Sequence, residues 1–133
     1  MRDLLYNIAN HLDNNRATLA EMGYRTGDCL NVALAIKTFL WTLGYRANII
    51  LVRWDVWYCH YVVEYDGMYV DGHDTWPTLD DMLDNFWNLW GIDDFDVEDA
   101  HEWGNLSVIY ELKNFSRQHA RRMLRSLVEN VQA

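Results

Sequence analysis

The sequence contains no apolar run of membrane-spanning length, a single proline and only two cysteines. A membrane helix needs roughly 18 uninterrupted apolar residues, so we expect no contact with the membrane interior. The first residues lack the basic-then-apolar order of a secretion signal, and two cysteines are too few for a disulfide framework. We therefore expect a cytoplasmic protein in which Cys29 and Cys59 are free thiols.

Lysine and arginine are absent from residues 54–112, a stretch that carries 15 of the 20 acidic side chains. The formal net charge of the chain is −9. Direct nucleic-acid binding requires cations that replace the counterions of the phosphates, so we expect none. A field of this sign favours a basic protein or peptide as the partner.

Apolar and aromatic residues are plentiful: half of the 133 residues are hydrophobic, with 7 Trp, 8 Tyr and 4 Phe. This composition excludes disorder over most of the chain and is enough for one core. We expect a single domain spanning 1–133. Its parts are a helical segment at 1–22, a catalytic-like core at 26–76, an acidic region at 78–104 and a C-terminal helix at 116–131.

Hydrophobic periodicity predicts the elements of the first half. An N-terminal helical segment starts near Leu4 and is one helix, or two if Asp13–Asn15 interrupts it. The most apolar helix runs from Cys29 to Leu43 and is stopped by Gly44. β-branched residues predict strands at 47–54, 58–65 and 68–71, and Asp66-Gly67 predicts a hairpin between the last two.

The second half reads as helices and loops around one further strand. Thr78 with Asp81 predicts a helix cap for a helix through Trp87, followed by an acidic loop at 91–104 and a strand at 106–112. Ser116 caps a last helix whose apolar stripe is Ala120, Met123, Leu124, Leu127 and Val128. This order predicts an α+β fold with helices packed on one antiparallel sheet.

Three side chains of this arrangement could act together. A cysteine at a helix start is stabilised as the nucleophilic thiolate by the helix dipole. Side chains alternate along a strand, so His60 and Asp71 share one face of the hairpin, with His60 facing His73 and with Tyr61 on the other face. If the start of the central helix packs on this face, Cys29, His60 and Asp71 are nucleophile, base and orienting acid.

The chain also resembles a known family over about residues 27–74, roughly a third of its length. The carrying segments are Gly27-Asp28-Cys29, Ala33-Leu34, Phe39-Leu40, Gly44-Tyr45-Arg46-Ala47, and His60 through the Asp66-Gly67 turn to Asp71. They resemble the transglutaminase-like branch of the papain-fold cysteine enzymes. The resemblance implies a papain-like core with a Cys-His-Asp triad, and acyl transfer through a thioester without a cofactor.

Several neighbouring residues have open roles. Asp74 is an alternative to Asp71 as the orienting acid, although strand pairing favours Asp71. No glutamine precedes Cys29, unlike in papain-type enzymes, so the oxyanion donors would be the Cys29 amide and a side chain among Tyr24, Trp54 and Trp57. The tryptophans that could wall a substrate groove are Trp54, Trp57, Trp76, Trp87 and Trp90. No paired ligand spacing predicts a metal site; a site from His60, His73 and Asp71 with Glu64 or Cys29 is a minor alternative.

The leading hypothesis from the sequence is a cysteine-dependent peptidase, deamidase or transglutaminase-like enzyme acting on a protein or peptide. The alternative is a non-enzymatic acidic interaction module, such as a DNA mimic or an inhibitor that occupies a basic site. A catalytically degenerate member of the same fold is an intermediate case. The enzyme depends on Cys29, whereas the module tolerates its replacement.

Overall fold

The computed structural model describes residues 1–15, 29–53, 59–91, 94–99 and 117–131. Within these ranges the chain forms four helices and one five-stranded antiparallel sheet, which confirms the predicted α+β class. The helices are α1 Arg2–Asn14, α2 Cys29–Thr42, α3 Leu79–Trp90 and α4 Arg117–Asn130. The strands are β1 Asn48–Arg53, β2 Cys59–Tyr65, β3 Met68–Val70, β4 Thr75–Trp76 and β5 Asp96–Asp99.

The sheet has the strand order β4-β3-β2-β1-β5, and its β2–β3 hairpin has the predicted register. Tyr65 faces Met68 and Glu64 faces Tyr69. Asp66 and Gly67 form the two-residue turn with φ of 52° and 78°, the left-handed values that a type I′ turn needs. The amide of Gly67 also donates to Glu64 Oε1 at 2.9 Å.

The β2–β3 ladder is shorter than the sequence predicts. Its last pair is Val63 with Val70, so the predicted pairing of His60 with His73 is wrong. The chain turns away after β3 because the amide of Asp71 donates to the carbonyl oxygen three residues later, at 3.0 Å. The first residues of β2 are therefore paired with β1 alone and have no β3 residue on their other side.

Helices cover both faces of the sheet. One face, which carries Tyr61, Val63 and Val70, packs against α1, α2 and α4 in the larger core. The opposite face carries Val52, Val62 and Trp76 and packs against Met82 and Phe86 of α3. The helix α2 lies between the sheet and α4, which explains why its apolar residues occupy nearly all sides.

The acidic region contains a strand that the sequence analysis assigned to a loop. Asp96–Asp99 pairs antiparallel with β1 as the edge strand β5, with Glu98 opposite Leu51. Arg53 Nη2 contacts Glu98 Oε1 at 3.0 Å across this edge. An edge strand pairs through its backbone on one side only, and charged side chains are common on such strands. The acidic composition of residues 96–99 therefore does not distinguish this strand from a loop.

The helix ends also differ in detail from the prediction. α1 ends at Asn14, within the segment predicted to interrupt it. α3 continues beyond Trp87 to Trp90 and is terminated by Gly91 in the left-handed region, with φ of 66°. In α4, Val128 was assigned to the apolar stripe but is 59 % exposed. The predicted strand at 106–112 and the cap at Ser116 lie outside the described residues.

The N- and C-terminal helices are joined by a polar contact as well as by the core. His11 Nε2 lies 2.7 Å from Ser126 Oγ, and Asn15 Nδ2 lies 3.2 Å from His11 Nδ1. The first contact joins α1 to α4, and the second orients the His11 ring, at the end of α1 where Asp13 contacts His73 of the loop after β3. Among the described residues, no helix is long and apolar enough to cross a bilayer.

The turn glycine gives a direct test of the hairpin. Gly67→Ala should lower the free energy of unfolding by about 1 kcal/mol, because an L-residue is strained at this positive φ. No atom lies within 4 Å of the added Cβ, so steric contact makes no contribution. Gly67→Asn is the matched control, since asparagine tolerates the left-handed region and should recover most of the loss. Urea unfolding measures both variants; equal destabilisation by Ala and Asn would contradict the assignment.

Candidate active site

The first residue of α2 is Cys29, and its partly buried side chain packs against the larger core. The apolar residues of α2 anchor this helix against the sheet and α4, so the position of its first turn is fixed by burial. A helix start also concentrates unpaired amides and positive dipole potential, which stabilise a thiolate.

His60 projects from the opposite face of β2, beside the residues that pack on α3. We expected the start of α2 to pack on this face, and Cys29, its first residue, forms a hydrogen bond with His60. The body of α2 packs on the face that carries Tyr61 and Val63. The sulfur of Cys29 also accepts a hydrogen bond from the amide of Tyr61. The contact is possible because β3 ends early, which leaves this edge of β2 open to the thiol.

The carboxylate of Asp71 holds the imidazole from its other side. His60 Nε2 lies 2.8 Å from Asp71 Oδ2, and the Asp71 side chain is only 5 % exposed. Because Nε2 is occupied in this way, Nδ1 is the ring nitrogen left for Cys29. A carboxylate in this position fixes the imidazole tautomer and supports the imidazolium form.

Asp71 also organises the loop that follows β3. Its Oδ1 accepts hydrogen bonds from the amides of His73 at 2.8 Å and Asp74 at 2.9 Å. This side-chain turn pre-positions Oδ2 toward His60, since both carboxylate oxygens are used. The side chain of Asp74 accepts from the amide of Thr75 at 2.8 Å instead, so Asp71 is the carboxylate that contacts His60.

The proton affinities of the pair are shifted in complementary directions. Burial raises the pKa of the Cys29 thiol, but the hydrogen bond and the charge of His60, with the amides of Tyr61 and Cys29, lower it overall. Burial would lower the pKa of His60, yet its hydrogen bonds to Asp71 and Cys29 raise the pKa to about 9. The arrangement therefore favours a thiolate–imidazolium pair at neutral pH.

Aromatic rings enclose the free sides of the imidazole. The ring centroid of His60 lies 5.7 Å from that of Phe86 and 5.9 Å from that of Trp90, both edge-on. Phe86 and Trp90 stack at 4.6 Å. Phe86 was missed by the sequence analysis, although the spacing of Met82, Phe86 and Trp90 by four residues could have placed them on one helical face.

The remaining predicted residues are distributed as follows. Trp76 is buried against Phe86 and donates to Asn85 Oδ1 at 3.3 Å, so both contacts join it to α3. It also lines a cavity of about 250 Å³ beside the first residues of α1. Tyr24, Trp54 and Trp57 lie outside the described residues, and so does the side chain of Cys59.

The backbone supplies donors at the sulfur that sequence reasoning only partly anticipated. The amide of Cys29 was predicted as an oxyanion donor and lies at its own sulfur. The amide of Tyr61 was not predicted, because its availability depends on where β3 stops pairing. Two amides that already stabilise a negative sulfur can also stabilise a neighbouring negative oxygen.

The minor metal alternative does not assemble in the part of the chain that the structure describes. The imidazole Nδ1 of His73 lies 3.4 Å from Asp13 Oδ1, and the His73 side chain is directed to α1 instead of His60. In the described ranges no group of three or more His, Cys, Asp or Glu side chains is arranged to hold a metal ion.

In comparisons with known proteins, no family model, no curated protein and no solved structure matches the chain.

The pKa shifts predict the pH profile of Cys29 alkylation. Its thiol should react with iodoacetamide at pH 7 faster than an ordinary thiol, of which only about 3 % is ionised, because its pKa is lowered. The alkylation rate should change once more at about pH 9, where His60 loses its proton. The His60→Gln variant should react more slowly at pH 7, because burial then raises the pKa of the thiol. Mass spectrometry of digested protein assigns the label to Cys29; an unchanged profile in His60→Gln would contradict the ion pair.

Proposed function

We propose that the protein is a cysteine-dependent acyl-transfer enzyme that acts on a protein or peptide through a thioester intermediate. The observation that carries this proposal is the continuous hydrogen-bonded chain from Cys29 through His60 to Asp71. A nucleophile, a base within hydrogen-bond reach and an acid that orients the base are the signature of nucleophilic acyl transfer.

The arrangement of the elements supports a papain-like, transglutaminase-like core. A helix that begins at cysteine packs against antiparallel strands, and the second strand of the sheet carries histidine. The orienting acid follows directly after the next strand, in the order His, hairpin, Asp. This is the order of elements on which the resemblance in the sequence rests.

In the first half-reaction the Cys29 thiolate attacks a carbonyl carbon of the substrate. A carbon–sulfur bond forms, and the carbonyl electron pair moves onto oxygen, where the amides of Cys29 and Tyr61 can donate to it. His60 transfers its Nδ1 proton to the leaving nitrogen. The carbon–nitrogen bond then breaks, and the carbonyl re-forms as a thioester.

In the second half-reaction water or an amine attacks the thioester. Neutral His60 accepts the proton of the attacking group at Nδ1, and the carbon–sulfur bond breaks to release the thiolate. The thiolate–imidazolium pair is thereby restored. Attack by water on an acyl group from a peptide bond gives hydrolysis, attack by water on one from a side-chain amide gives deamidation, and attack by an amine gives transamidation.

A single acylation experiment tests the chemistry before the natural substrate is known. Incubation with p-nitrophenyl acetate should release p-nitrophenol and leave one acetyl group on Cys29, seen by mass spectrometry and removable by hydroxylamine. Cys29→Ala should show neither the release of p-nitrophenol nor the added mass of the acetyl group at residue 29. If the wild-type protein acetylates no faster than a denatured sample at the same thiol concentration, the acyl-transfer proposal is wrong.

The role of Asp71 can be tested with an isosteric change. Asp71→Asn keeps an oxygen for the amides of His73 and Asp74 but presents an NH₂ group to His60 Nε2. Nε2 must then accept a hydrogen bond from this NH₂ group, so the imidazole proton lies on Nδ1. A protonated Nδ1 cannot accept the proton of the Cys29 thiol. We expect acetylation at pH 7 to fall by about 10²-fold. Asp74→Asn is the control, since its side chain caps only the Thr75 amide.

Exposed carboxylates favour a second candidate function, the acidic binding module. Asp80 and Asp84 on α3, Asp94, and Asp96 at the start of β5 are all exposed. A basic partner would be attracted to such a field whether or not Cys29 reacts. The module should bind basic polypeptides with steep salt dependence and retain this binding in Cys29→Ala.

A further inference from the structure

The C-terminal end of α3 exposes two tryptophans, one of which contacts the imidazole. Trp87 is 51 % exposed and Trp90 is 42 % exposed, although indole rings are normally covered in a folded protein. Trp90 also contacts His60 edge-on at 5.9 Å. An apolar surface therefore begins directly at the proposed base and continues outward along α3.

Acidic side chains extend the same surface along the helix. Asp80, Asp84 and Trp87 are spaced by four and three residues, so they form one stripe on α3, and Trp90 follows one turn later. All four side chains are exposed. We call these four residues the α3 stripe: Trp90 at its C-terminal end contacts His60, and the two carboxylates lie toward the N-terminal end of the helix.

The composition of the α3 stripe indicates the chemistry of its occupant. Two indoles provide a face for one apolar side chain, and indole faces also attract cations. The two carboxylates complement lysine or arginine, and no basic residue occurs anywhere in the helix. A polypeptide with an apolar residue and nearby basic residues satisfies both parts of the surface.

From this geometry we infer that the α3 stripe is a docking surface for a basic polypeptide substrate, whose apolar residue packs on Trp87 and Trp90 next to the reacting carbonyl. This inference rests on the proposed function and names its substrate class. Trp90 contacts the substrate and sets specificity, while Asp80 and Asp84 act through charge.

Helix geometry fixes the spacing that the substrate needs. At 1.5 Å per residue, Asp84 lies about 9 Å and Asp80 about 15 Å along the helix axis from Trp90. An extended peptide advances about 3.3 Å per residue. The preferred basic residues therefore lie about three and about five residues from the apolar one.

Binding to a fluorescein-labelled synthetic peptide tests the docking surface independently of turnover. The peptide has a Gly/Ser backbone, one Phe, and Lys three and five residues away on both sides; matched peptides carry Glu for Lys or Ala for Phe. With the Cys29→Ala protein at low salt, fluorescence anisotropy should show binding of the Lys/Phe peptide at least about tenfold tighter than that of either matched peptide.

Variants of the α3 stripe should weaken this binding selectively. Trp90→Ala should weaken it about tenfold or more through the lost apolar contact, and Asp80→Asn with Asp84→Asn about three- to tenfold. The charge effect should disappear in 0.5 M NaCl. Leu89→Ala, a change at an apolar side chain of α3 that is 64 % exposed and lies outside the stripe, should leave the affinity unchanged. Asp66→Asn, a charge change at the hairpin turn, should also leave it unchanged.

The possible outcomes separate the two proposals. Equal affinity for the Lys and Glu peptides, or no effect of the Asp80/Asp84 double variant with its circular dichroism intact, overturns the docking surface. If either of these results is obtained while p-nitrophenyl acetate still acetylates Cys29, the acyl-transfer proposal stands and the proposed substrate class is rejected. Selective peptide binding without acetylation supports the surface and rejects acyl transfer.

Discussion

The hydrogen bond between Asp71 and His60 is the contact on which the site depends. It is 2.8 Å long and almost excluded from water, so its carboxylate interacts strongly with the imidazole. The second oxygen of Asp71 is held by two loop amides, which prevents the carboxylate from turning away. A single buried side chain thus shapes the loop after β3, selects the ring nitrogen that meets Cys29 and supports the positive charge of His60.

The early end of the β2–β3 ladder is the second condition for the site. If β3 continued, its backbone would occupy the edge of β2 at which the Cys29 sulfur accepts a hydrogen bond from the Tyr61 amide. The loop that ends β3 is the one organised by Asp71. Asp71, which contacts the imidazole, therefore also keeps the edge of β2 open for Cys29. A substitution of Asp71 is expected to affect both the imidazole and the loop after β3.

Much of this arrangement follows from local sequence rules. The run from Cys29 predicts the buried helix, Asp66-Gly67 predicts the turn, and period-two alternation places His60 near Asp71. These are short-range properties, for which propensity and spacing carry most of the information. The α+β class follows from the same elements taken in order.

The parts that could not be predicted depend on long-range packing. Strand alternation does not say which face of the sheet α2 covers: its body packs on the face of Tyr61 and Val63, while Cys29 at its start reaches His60. Phe86 and Trp90 reach His60 only because α3 crosses the other face of the sheet. The strand β5 is held by backbone pairing at an edge, which acidic side chains do not reveal.

The wide separation of Cys29 and His60 along the chain has a consequence for newly synthesised protein. The low pKa of the thiol arises from contacts with β2, which exist only after α2 has docked on the hairpin. An unfolded or nascent chain carries an ordinary, weakly ionised cysteine and is chemically quiet toward surrounding proteins. The lowered pKa of Cys29 is thus acquired only through tertiary folding.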